Sequence, residues 1–381
     1  MKDKIEIIIC GDLCPTEDTV VLFEQEDERS LFNTILNTFN TADLVFGNLE
    51  FVLTDSPKPI KKSGPILYGA SKYTTVLKNA GFDLLSLANN HIKDCGPDGV
   101  QSTMEACVKA GIATFGAASN LGKAKKPYIE EINGLKIGFI AFAEQEFNTA
   151  TENEAGANYF DPYEDLDSIA AFKKQVDYLI VIYHGGIEYY EYPSPLLQKK
   201  CRKFIDKGAD FVSCQHSHCI GTLEEYKDKK ILYGQGNTLF GHRKGNDSWN
   251  QGLLVKIEID TKSRVGEVTL LPIHAIEKGI DFMDATQSEK LLYNLNDRSK
   301  NLSIELFIKE SWVSFCNKKK EFYFPFLFGF NRYLIHLNRF TKNSIVGLLY
   351  SKKRMHTSHN IIRCEAHNEV IHTLLNNHLK N

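Results

Sequence analysis

Closely spaced cysteine pairs are missing from this chain. Nine Cys occur, and none stands in a C-x-x-C arrangement. A thiolate-rich structural zinc site is thereby excluded, and scattered thiols of this kind fit a reducing compartment. Long apolar runs are missing too, and none approaches the roughly 18 residues that a membrane-spanning helix needs. The opening Met1-Lys2-Asp3-Lys4 leads into an isoleucine run that stops at Cys10, which does not read as a secretory signal. The expected location is cytoplasmic, at most peripheral to a membrane. A basic excess is also lacking, because 45 Lys and Arg face 48 Asp and Glu. Nucleic acid is therefore not an expected partner.

What remains is ordinary for a globular protein, with 43% hydrophobic and 24% charged residues in a chain of 381. That length accommodates one large domain and a smaller one. Up to about residue 275, short β-branched runs alternate with helical patterns. The runs are Glu6–Cys10, Asp43–Asn48, Phe82–Leu87, Lys136–Phe142, Tyr178–Tyr183 and Ala209–Ser213. Amphipathic stretches such as Leu31–Phe39, Pro97–Ala110 and Pro195–Lys207 separate them. This alternation predicts an α/β fold layered around a buried sheet. Between Lys230 and His274 the strands become closely spaced and antiparallel in character. Residues 276–381 turn to Leu, Asn and Lys at helical spacing, which predicts a mostly helical C-terminal region after a first domain of residues 1–275.

The residues that end each apolar run carry the chemistry. Cys10 is followed by Gly11-Asp12, Phe46 by Gly47-Asn48-Leu49-Glu50, and Leu87 by Ala88-Asn89-Asn90-His91. Tyr183 leads into His184-Gly185-Gly186, and Ser213 into Cys214-Gln215-His216-Ser217-His218. In open α/β sheets, ligands gather beyond the carboxyl ends of the strands, so these side chains are expected to converge. His216 and His218, two residues apart, would face the same way if their segment were extended. Imidazole suits Mn, Fe or Zn of borderline character, while carboxylate suits harder ions. A mixed set of Asp, Glu, Asn and His fits two divalent ions that clamp a phosphate and lower the pKa of a water.

The order of these motifs resembles the calcineurin-like metallophosphoesterase superfamily and, more closely, its poly-γ-glutamate capsule biosynthesis (CapA) family. The resemblance covers roughly residues 5–240. It includes Gly111-Ile112-Ala113-Thr114-Phe115-Gly116, Gly208-Ala209-Asp210 and Ile231-Leu232-Tyr233-Gly234-Gln235-Gly236-Asn237. It implies a four-layer α/β/β/α sandwich and metal-assisted phosphoester hydrolysis serving capsule or exopolymer production. It also implies Asp12, Asn90, His184, His216 and His218 as metal ligands, with Glu50, or Asn48 as its rival, as the bridging group. His91 is implied as the residue that protonates the leaving oxygen or steadies the transition state, and Asp12 as the other catalytic position. Asp12-Leu13-Cys14 lacks the His of the superfamily's Asp-x-His, and Gly47-Asn48 replaces its Gly-Asp; both changes recur in the capsule family. Gln215 and Gly185 stand where that family often has His and Trp.

Other readings complete the expectations. Glu188 is either an orienting carboxylate or an exposed loop acid. Lys61 and Lys62 read as a solvated pair, and Cys14, Cys95, Cys214 and Cys219 as small buried packing residues. The aromatic run Phe322–Phe330, between Lys318-Lys319-Lys320 and Arg332, reads as a packing element or subunit contact, with a membrane-surface patch as its rival. Expected partners are a phosphorylated small molecule or an acidic polymer, with peripheral membrane or protein contact through 318–332. The rival function is a metal-binding accessory protein for polymer assembly or export; cell-wall amide or peptide hydrolysis by the same metal chemistry is a third.

Overall fold

The computed structural model describes residues 2–342 and 344–379. The chain divides into two compact units, Met1–Glu310 and Ser311–Asn381. In the first, β1 is Lys4–Leu13, β2 Leu44–Leu49, β3 Leu84–Ser86, β4 Ala113–Phe115, β5 Tyr128–Ile132, β6 Leu135–Ala143 and β7 Tyr178–His184. Then come β8 Phe211–Gln215, β9 Leu223–Tyr226, β10 Lys229–Leu232, β11 Asn237–Leu239, β12 Gln251–Asp260, β13 Gly266–Ile276 and β14 Gly279–Phe282.

Two large sheets result. The first runs β14-β13-β12-β1-β2-β3-β4, with β11 also paired to β1, and the second runs β9-β10-β8-β7-β6-β5. β1 is central because Ile5, Ile7, Ile8 and Ile9 are buried whichever face they point to, the pattern of a strand covered on both sides. The sheets meet face to face: the Phe46 ring of β2 stacks on that of Phe139 in β6, with centroids 6.0 Å apart. Helices Tyr73–Ala80 and Gly96–Lys109 bury their apolar faces in the core of the first sheet. Helices Asp165–Lys173 and Pro195–Asp206 pack Ile169, Phe172, Phe204 and Ile205 against Leu179, Val181 and Val212 on the outer face of the second. The order is α/β/β/α.

Two local expectations need correction. The helix expected over Leu31–Phe39 is broken into Glu28–Phe32 and Ile35–Thr41. Asn33 adopts φ +42°, which Asn tolerates better than most residues, and its side chain is held by the carbonyls of Ser30 and Ile280 at 2.9 and 3.2 Å. The strand containing Ile231 runs parallel to β8 and antiparallel only to β9. Past residue 276, the short strand β14 precedes a succession of helices that starts at Ala285.

The second unit consists of helices. Glu305–Leu327 crosses its boundary, followed by Arg332–Phe340, Ser344–Leu349, Lys352–Arg363 and Glu365–Leu379. The aromatic run divides. Phe328 stacks on Tyr350 with centroids 3.7 Å apart and Phe330 is buried, whereas Phe322, Tyr323, Phe324 and Phe326 are exposed.

Candidate metal centre

Parallel pairing explains why distant residues meet. Asp12, near the end of β1, stands in register with Asn48 of β2 on one side and Asn237 of β11 on the other. His184 ends β7 in register with Gln215, the last residue of β8. Glu50 follows β2 directly, and the loop after β3 brings Asn89, Asn90 and His91 to the same rim. All of these except Asn90 are buried.

The donors form two triads that share one carboxylate. Glu50, His184 and His216 offer one ligand atom each within 4.8 Å of one another, and so do Asp12, Glu50 and His218. The His184 Nε2 and His218 Nε2 atoms stand 3.5 and 3.9 Å from Glu50 Oε1. The ring centroids of His184 and His216 are 4.9 Å apart. Asn48 donates from its amide to Asp12 Oδ1 at 2.7 Å and lies 3.1 Å from His184 Nδ1. It thereby presents a donor to the cluster and holds two of its members. Asn90 Oδ1 is 3.0 Å from His184 Nε2.

The His pair meets by a route that strand alternation did not predict. β8 stops at Gln215, and His216 and His218 take left-handed φ values of +91° and +50°. Such conformations cost a non-glycine residue on the order of 1–3 kcal/mol and persist where surrounding structure enforces them. Here the His216 backbone N–H donates to Asp12 Oδ2 at 3.1 Å, and His218 Nδ1 is 2.8 Å from Asn237 Oδ1. This backbone turns the His218 ring toward Asp12 and Glu50 and the His216 ring toward Glu50 and His184.

The electrostatics call for a cation. Both Glu50 oxygens are buried and lack a hydrogen-bond partner among the described residues, a costly state for a carboxylate unless a proton or cation compensates it. Burial, then the nearby charges of Asp12 and Glu188, push the Glu50 pKa well up. Burial also raises Asp12, against His218 and the hydrogen bonds from Asn48 and His216. The imidazoles shift the other way. Burial and neighbouring His216 and His218 hold His184 well below its usual value, and burial with His218 and His91 pushes His216 down to about 3. Neutral rings around orphaned carboxylate oxygens match the donor set of a divalent ion.

His91 lies at the edge, its Nε2 4.0 Å from Glu50 Oε1 and its Nδ1 2.7 Å from Asp94 Oδ2. Burial lowers its pKa and the bond to Asp94 opposes this. Asp94 is itself held by the Leu67 N–H at 2.7 Å and by an ion pair with Lys62. The reading of Lys61 and Lys62 as a solvated pair is corrected for Lys62, whose side chain is only 3% exposed and whose Nζ is 3.3 Å from His91 Nδ1. Lys61 is exposed. Glu188 is exposed as well, close enough to act on Glu50 by charge. Cys14, Cys95, Cys214 and Cys219 are buried free thiols. Burial, then the charges of Glu50, Asp94 and Asp12, push the Cys14 pKa well up. Gln215 donates to the Cys10 carbonyl at 3.2 Å and ties the two sheets together.

Sequence reasoning passed over three positions. Asn237 orients His218, and Asp94 orients His91. Asn89 donates to the Leu49 carbonyl at 2.7 Å and accepts from the His91 N–H at 3.1 Å, which fixes the His91 loop to the end of β2. Asn237 was visible only as part of a landmark, and Asp94 lies in the loop beyond His91; neither ends an apolar run.

The chain is 28% identical over 248 residues to the capsule biosynthesis protein CapA of Bacillus anthracis, covering 63% of this chain and 60% of that protein. It is 29% identical over 280 residues to the PGA biosynthesis protein CapA of Bacillus subtilis, covering 71% and 72%. It thus spans less than two thirds of the first relative's length. Among solved structures, a putative 5'-nucleotidase from Staphylococcus aureus aligns at 14% identity with a TM-score of 0.45, over 77% of this chain and 58% of that one. The pattern of the bacterial capsule synthesis protein family PGA_cap matches residues 6–242, well over half of the sequence, and the chain belongs to that family.

Proposed function

We propose that this chain is a metal-dependent phosphoesterase-type hydrolase serving the synthesis of a capsule or exopolymer of the poly-γ-glutamate kind. The observation that carries this reading is Glu50, a buried carboxylate with two unpartnered oxygens shared by two triads of donors. In it, Asp12, Glu50 and His218 hold one divalent ion and Glu50, His184 and His216 the other, with Mn, Fe or Zn the fitting metals. Such ions supply Lewis acidity to a phosphoryl oxygen and lower the pKa of a water in the site.

The chain's own groups supply the rest. Asp94 accepts from His91 Nδ1 and fixes the ring, so that Nε2 faces the cluster as the proton donor to a leaving oxygen. Lys62 forms a buried ion pair with Asp94 and so compensates the charge of that carboxylate. Asn48 holds Asp12 and His184 in place. A substrate phosphate, being anionic, raises the His91 pKa toward the protonated form the step requires. The substrate is a phosphorylated small molecule or a phosphorylated end of an acidic polymer.

Metal analysis of the purified chain, with hydrolysis of an aryl phosphate in added Mn, tests the reading. The expected result is bound divalent metal and turnover that Asp12→Ala and His216→Ala abolish. Turnover indifferent to both substitutions, or a protein that takes up no divalent ion, would overturn it. A second reading, a metal-binding accessory protein without turnover, draws on Asn48, which presents an amide donor at a position where the superfamily has Asp, and on Cys14, a buried thiol where it has His. Metal binding with no hydrolysis of any phosphoester tried would favour it.

A further inference from the structure

The second unit lies outside the family match, which ends at residue 242, and its charge is opposite to the rest. Residues 311–381 carry eleven Lys and Arg against three Glu and no Asp, a net charge of +8 in a chain whose total is −3. The preceding 310 residues therefore sum to −11. Such asymmetry points to an anionic partner for the basic part.

Helix Arg332–Phe340 shows what kind of partner. Tyr333, Leu337 and Phe340 succeed one another at four and three residues, so they form one stripe. They are 83%, 50% and 87% exposed. Arg332 and Arg339, each one residue before Tyr333 and Phe340, place two cations beside the apolar stripe. The opposite side is anchored: Asn338 is buried and its Oδ1 accepts from the Val346 N–H at 3.2 Å. On helix Glu305–Leu327, exposed Phe322 and Phe326 stand one turn apart with ring centroids at 5.0 Å, and Lys318 and Lys319 lie one turn before them. Leu348 is 84% exposed.

We propose that the helical unit 311–381 docks on an anionic lipid bilayer, with Tyr333, Leu337 and Phe340 entering the interface and Arg332 and Arg339 meeting lipid headgroups. Apolar and cationic stripes side by side are what an interfacial helix requires. A nucleic acid or an acidic polypeptide would use the cations but leave Leu337, Leu348 and Phe340 in water. Among the described residues no helix is long and apolar enough to cross a membrane, so the unit lies on the surface.

The test is co-sedimentation of the full chain with phosphatidylcholine vesicles, with and without about 30% phosphatidylglycerol. Binding is expected only with the anionic lipid, and should fall as salt rises from about 0.1 to about 0.5 M. Arg332→Gln with Arg339→Gln should reduce partitioning about 25-fold, near fivefold per cation. Leu337→Ser with Phe340→Ser should reduce it at least about tenfold. All four side chains are exposed, so circular dichroism of both variants should match the wild type. The proposal is overturned if the chain stays in the supernatant with anionic vesicles. It is equally overturned if Leu337→Ser with Phe340→Ser binds as tightly as wild type, or if double-stranded DNA or soluble poly-glutamate binds the unit with full dependence on the arginines and none on Leu337 and Phe340.

Discussion

The two triads of the candidate metal centre share Glu50 and differ in their other members. One adds His184 and His216, and so presents two nitrogens and one oxygen; the other adds Asp12 and His218, and presents two oxygens and one nitrogen. The imidazole-rich side is the softer set and the carboxylate-rich side the harder one. Their support differs as well. Asp12 receives hydrogen bonds from the Asn48 amide and the His216 backbone, whereas His216 Nδ1 is buried without a partner among the described residues. Within the imidazole-rich half the bracing falls on His184, whose Nδ1 and Nε2 stand 3.1 and 3.0 Å from the Asn48 amide and from Asn90 Oδ1.

Removing the shared group should have the largest effect. Glu50→Ala is expected to empty both triads, which elemental analysis would read as loss of all bound metal, with turnover at background. His91→Gln should leave the metal content intact while slowing hydrolysis of an alkyl phosphate by about 10²–10⁴-fold. An aryl phosphate, whose leaving group needs little protonation, should slow far less; equal slowing of both substrates would remove His91 from the proton-donor role. Separating the halves, His216→Ala should cost the softer site alone and shift the remaining preference from Zn toward Mn, while Asp12→Ala should do the reverse.

A smaller effect should come from Asn237→Ala, which frees the ring of His218 and should weaken only the carboxylate-rich site by about 10–100-fold in metal affinity. Equal weakening of both sites would show that the triads do not bind independently. The pH dependence sharpens the contrast. His216 is pushed down to about 3, so protons do not compete at that ring near neutrality. Glu50 and Asp12 are raised and hold protons to higher pH than free carboxyls. Metal added to stripped protein should therefore release acid wherever those carboxyls still hold protons, and apparent affinity should fall as pH drops through the raised carboxyl range. Calorimetry in buffers of differing ionisation heat would measure this, and proton uptake on binding would contradict the assignment. Saturating metal at about 100 times its dissociation constant should add about 2.7 kcal/mol of stability, read as a rise in Tm that a chelator reverses.

Much of this centre was legible because strand ends are legible. Short β-branched runs mark buried strands, and the polar residues just beyond each run lie on one rim of the sheets, so Asp12, Glu50, His91 and His184 could be named without coordinates. The acidic or imidazole character of those residues also shows directly. Lys62 was not legible, since a lysine in a Pro-rich loop looks solvated until Asp94 and His91 are placed beside it. The break at Asn33 was hidden for a similar reason: the carbonyl that helps hold its side chain belongs to Ile280, far along the chain.

By itself the sequence determined which buried strands carry the candidate site and which polar residues terminate them; each comes from local periodicity and residue type. The tertiary structure alone decided that Glu50 belongs to two triads, that His216 and His218 reach it through left-handed backbone, and that Asn237 stands beside Asp12. Those relations depend on the register between strands more than two hundred residues apart, and register is set by sheet pairing and packing across the whole domain, not by any segment within it.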